Sequence, residues 1–130
     1  MGLNDIHTIF FNAHILFSII LGVWALRMGA VNEPLSGNFW GAVATITILA
    51  ALILGVGFLM TLTGLRPQRL TIYFLYVSWL VVIVPGLFSL LKGREDRNAA
   101  LAFGILCFFN AATSISMIQR EVVGPWAFPA

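Results

Sequence analysis

The chain has 130 residues, 60% of them apolar and only 9% charged, against about 25% charged in ordinary soluble domains, which excludes a freely water-soluble protein. Its seven basic and five acidic residues, formal charge +2, are scattered between apolar blocks and form no basic stripe for nucleic acid. The single cysteine, Cys107, excludes an intramolecular disulfide, and two histidines without clustered acids offer no Cys/His zinc set.

Four apolar blocks, 6–26, 39–63, 70–91 and 99–118, contain no Lys, Arg, Asp or Glu. Each is long enough to cross a hydrocarbon core about 30 Å thick as a helix, the conformation that satisfies its own backbone where lipid offers no partner. The expected fold is an all-α integral membrane protein: one domain, 1–130, built as a four-transmembrane-helix up-down-up-down bundle. Residues before the first block include Asp5 and no Lys or Arg, unlike the basic start of a cleaved signal peptide, so the block reads as a permanent span.

In the first block, His7 and His14 are seven residues apart, nearly two helical turns, with Ser18 on the same line. His7 is expected near the interface and His14 well inside the hydrocarbon, where ionisable groups are rare enough to be candidate sites. His14 reads either as a functional group, an axial ligand to haem or chlorophyll or a proton relay, or as a neutral imidazole hydrogen-bonded to a neighbouring helix, the latter favoured because no other block supplies a second histidine for haem. Ser18 and Gly22 add a small-residue pair suited to helix contact.

The connection to the second block contains Gly29, Pro34 and Gly37 and is flanked by Trp24 and Trp40, consistent with an aromatic belt at one interface. Asn38 is the expected N-cap of the second helix. That helix carries Gly41, Ala44, Ile48, Ala51 and Gly55 along one stripe, a pattern that lets another backbone come close. Gly64 is positioned as a left-handed cap, and the link 65–69 is short enough to force antiparallel, touching neighbours.

In the third block Pro85 removes the N–H that would bond the Val81 carbonyl, so a kink is expected there. Gly93 and Asn98 punctuate the next turn as C-cap and N-cap. The fourth block aligns Cys107, Asn110, Thr113, Ser114 and Met117 within about a third of its circumference, and pairs Ala100 with Gly104 at small-residue spacing. Cys107 has no base or cation beside it in sequence to make it a nucleophile. The tail 119–130, with Pro125, Trp126, Phe128 and Pro129, is too short to span and suits the headgroup zone or a partner.

Basic residues nearly balance across the two faces, Arg27, Lys92, Arg94 and Arg97 against Arg66, Arg69 and Arg120. The first helix, with Asp5 before it and Arg27 after it, favours termini on the non-cytoplasmic side of a bacterial inner membrane. Size and span count resemble those of the small multidrug-resistance transporters, but the membrane-embedded glutamate of their first helix has no counterpart here.

No Ser/His/Asp set, phosphate-binding glycine loop or acid pair is present, so unaided catalysis is not expected. The leading expectation is a structural or accessory subunit of a larger, bioenergetic (respiratory or photosynthetic electron-transfer) complex, with other membrane subunits and lipids as partners and no resident cofactor. The alternatives are a homo-oligomeric transporter or channel, with Asn110 facing His14 and Asn12 along a polar path, and a haem- or chlorophyll-binding subunit ligated by His14.

Overall fold

Four long helices carry the chain: α1 (Leu3–Ala30), α2 (Gly37–Leu62), α3 (Leu70–Leu90) and α4 (Arg97–Gln119). The computed structural model describes residues 2–35, 37–65, 67, 69–92, 94 and 96–120, and among these there is no strand. All four helices are long and apolar enough to span a membrane, and the protein is a four-helix integral membrane bundle. The tail beyond Arg120 lies outside the described residues.

Helix ends follow capping chemistry rather than the edges of the apolar blocks. α1 runs past Arg27, whose charge sits in the last turn, where it complements the negative end of the helix dipole. The helix stops where Asn32 turns left-handed (φ 58°) and the Glu33 N–H reaches back 2.8 Å to the Met28 carbonyl, a Schellman closure. Gly64 behaves as its sequence position suggested: its φ is 99°, and the Leu65 N–H returns to the Met60 carbonyl at 3.0 Å.

Two expected caps are corrected. α2 already includes Gly37, so Asn38 is a helical residue. α4 is capped by Asp96, whose Oδ1 accepts the Ala99 N–H at 2.9 Å, and Asn98 lies inside the helix. A carboxylate satisfies an orphan amide and also favours the positive helix end, so the acid displaces the neutral amide as cap. Gly93 lies outside the described residues, and Lys92 is left-handed beside it (φ 54°). α3 continues through Pro85 to Leu90.

The helices form a ring in chain order. α1 packs most extensively on α4, then on α2; α3 packs on α2 and only sparingly on α4. Glycine sets the α1–α4 separation. A Cβ on Gly104 would stand 2.6 Å from Leu26 Cγ and Cδ2, and a Cβ on Gly22 would stand 2.9 Å from the Phe108 ring. Gly22, Ala100, Gly104 and Ser18 are all buried, so these small residues pack inside the bundle as expected.

The core divides into two apolar halves stacked along the axis. One contains Leu21, Ala25, Phe39, Val43, Ile46, Val84, Phe103 and Cys107. The other contains Phe11, Ala50, Ile53, Met60, Tyr73, Val77, Leu80 and Met117. An aromatic knot closes the first half and draws on all four helices: Trp24 meets Phe39 at 5.4 Å, Trp40 meets Phe88 at 5.1 Å, and Phe103 meets Trp40 at 5.4 Å between ring centroids. These edge-on pairs are the favoured aromatic geometry. Trp24 and Trp40 therefore pack into the bundle end rather than only fringing it.

Gly104→Ala is expected to lower the stability of the isolated protein by about 1–3 kcal/mol through overpacking, whereas Gly41→Ala and Gly55→Ala, with nothing within 4 Å of the added carbon, should leave it unchanged or slightly raised. Unfolding curves in mixed micelles provide the comparison. At Asp96, the Ala99 amide and the Arg94 guanidinium hold the carboxyl below the usual carboxylate range. A depressed folded-state value means that this stabilisation is present at neutral pH and is lost as pH falls through that value, below about pH 4. Wild type and Asp96→Asn should thus differ in melting temperature at pH 7 and converge in acid.

Candidate functional site

Among the described residues, five polar side chains are buried in the bundle: His7, His14 and Ser18 on α1, and Asn110 and Ser114 on α4. Placement follows from helical spacing. His14 and Ser18 are four residues apart, as are Asn110 and Ser114, so each pair occupies one face of its helix one turn apart. Gly22 faces Phe108, Leu26 faces Gly104 and Gly29 faces Leu101, which fixes an antiparallel register. Carried on along α1, that register sets Ser18 at the level of residue 112, within one turn of both Asn110 and Ser114, and His14 at the level of residue 116, within one turn of Ser114 and about 9 Å along the axis from Asn110.

The four residues thus form a polar waist, near mid-span on both helices and between the two apolar half-cores. His14 and Asn110 are each 2% exposed, Ser18 is 1% and Ser114 0%. His14 Nδ1, Ser18 Oγ, Asn110 Oδ1 and Ser114 Oγ have no hydrogen-bond partner among the described residues. A buried polar atom left unpaired costs about 1–3 kcal/mol, so each of these atoms calls for a partner beyond the described side chains.

His7 sits in the second turn of α1, near one end of the bundle. It is buried, and its Nε2 is hydrogen-bonded to the Tyr73 hydroxyl on α3, across the ring. The Ile53 carbonyl of α2 lies 3.5 Å from the same hydroxyl, at the outer limit for an interaction, so His7 is the principal partner. Gly57 makes room for this contact, because a Cβ there would collide with the Tyr73 phenol. The interhelical histidine bond expected of His14 is therefore made by His7. Sequence reasoning passed over Tyr73, although a phenol near the start of a membrane helix needs a partner for its hydroxyl.

Other sequence candidates separate. Asn12 is exposed on the outer face of α1; two residues from His14, it points about 200° around the helix and does not join Asn110. Cys107 is buried among apolar neighbours in the Phe103 half-core. No group of three or more His, Cys, Asp or Glu that could hold a metal occurs among the described residues. Gly41, Ala44, Ala51 and Gly55 all lie on the outer face of α2.

No family model, curated protein or solved structure matches this chain. Its functional reading comes from its own side chains.

The sparse α3–α4 contact leaves a lateral groove. One compartment of about 570 Å³ is lined by Leu75, Tyr76, Trp79, Phe109, Ala112, Thr113 and Ser116. A second, of about 490 Å³, shares Trp79 and Phe109 and is otherwise lined by aliphatic residues and glycine. Thr113 thus belongs to the groove and not to the waist. The groove is open to the side and mostly apolar.

Tyr73→Phe removes the hydroxyl that bonds His7 and should destabilise the bundle by roughly 1–2 kcal/mol. Thermal unfolding of the purified variant measures the loss.

Proposed function

We propose that this protein is a structural membrane subunit that docks onto a partner helix through the outer face of α2, within a larger electron-transfer assembly of the respiratory or photosynthetic kind. The supporting observation is the position of the small-residue stripe. Gly41, Ala44, Ala51 and Gly55 are exposed on one side of α2, and the space beside Gly41 and Gly55 is open. Within hydrocarbon, helix association depends on close packing and hydrogen bonding rather than on hydrophobic exclusion, so a small-residue face admits another backbone where bulky residues would hold it away. The long helices leave only short connections outside the membrane, and this favours a role carried out through helix surfaces.

The waist supports the transporter reading less well. Its polar groups are bracketed by Leu21 and Phe103 on one side and by Phe11 and Met117 on the other, all buried apolar residues, and transport would require both half-cores to open. Ligation of haem or chlorophyll by His14 would likewise require α1 and α4 to part around an enclosed ring.

Tagged wild-type protein extracted in gentle detergent should co-purify with larger, cofactor-bearing membrane subunits, visible in the absorption spectrum. Gly41→Leu with Gly55→Leu should release those partners while leaving the isolated bundle folded. Recovery of the wild type alone from native membranes, or retention of all partners by the double variant, would sink this reading.

A further inference from the structure

We infer that the waist formed by His14, Ser18, Asn110 and Ser114 is a binding site for a small cluster of internal water molecules that bridges α1 to α4 at the centre of the membrane. The four side chains come from two facing helices, and the antiparallel register fixed by Gly22, Leu26 and Gly29 stacks them over about 9 Å of the bundle axis. Each is at least 98% buried, and each presents an atom without a partner among the described residues.

Their chemistry selects the occupant. The Asn110 carbonyl oxygen accepts, the Ser18 and Ser114 hydroxyls both donate and accept, and His14 Nδ1 does one or the other according to its tautomer. A mixed set of neutral donors and acceptors suits a molecule that donates two hydrogen bonds and accepts two, and a buried water typically makes about three. A metal or alkali cation would lie at mid-membrane with no carboxylate to compensate it, and an anion would have no Lys or Arg. The enclosed position excludes anything larger that enters from the lipid. Direct pairing of the serine hydroxyls would leave the imidazole and amide still to be satisfied, whereas bridging water serves all four.

The test uses the full chain in phospholipid bilayers, labelled with 15N-histidine. Because the sequence has two histidines, His14→Phe identifies the His14 signals. Magnetisation transfer from water protons to the His14 ring should be strong, and Ser18→Ala with Ser114→Ala should weaken it severalfold. Cys107 gives a second reading that needs no variant: this lone thiol is buried one turn from Asn110, and its S–H infrared band should convert to S–D in heavy water while the amides of α4 remain protonated. A His14 ring without water transfer, transfer undiminished in the double serine variant, or a thiol that exchanges no faster than the α4 amides would each overturn the inference.

Discussion

The close approach of α1 and α4 is the constraint on which the rest of the bundle depends. It is made possible by side chains that are missing: where Gly104 stands, any Cβ would run into Leu26. That proximity closes the ring, buries the longest helix against the last, and encloses four polar side chains that lipid could not satisfy. By contrast, α3 rests on α2 and only lightly on α4, so the bundle has one tight seam and one loose one. Membrane helices lack the hydrophobic drive that would pull a loose seam shut, and the lateral groove is the result.

Membrane solvent also explains the location of specificity in this core. Two stacked apolar halves could slide or rotate with little penalty, since aliphatic contacts are nearly interchangeable. The His7–Tyr73 bond and the aromatic knot resist this at opposite ends. The first ties α1 to α3 across the ring, and the second joins all four helices through edge-on contacts.

Span number and helix type were legible because uncharged stretches of about twenty residues have one outcome in a bilayer. The left-handed Gly64 was legible for a similarly local reason. Caps were less so: Asp96 and Asn98 are both plausible N-caps, and the choice depends on which oxygen reaches a particular amide. The burial of His14, Ser18, Asn110 and Ser114 could be suspected from their four-residue spacing, but their meeting could not, because the register of α1 against α4 is set by glycine contacts between distant parts of the chain. Likewise, periodicity defined the α2 stripe without saying whether it faces inward or outward. The His7–Tyr73 bond required the diagonal geometry of the ring, which no single helix encodes.

The dominance of the α1–α4 seam has a consequence for biogenesis. During synthesis the first span enters the bilayer well before its main companion exists, carrying an imidazole and a hydroxyl at mid-depth on the face that α4 later covers. Until the ribosome has delivered the segment around Gly104 to Ser114, α1 has only α2 beside it in the ring, leaving that face to chaperones, the insertion machinery or lipid. A chain interrupted before this point therefore presents an uncovered polar strip on α1, which the completed chain buries against α4.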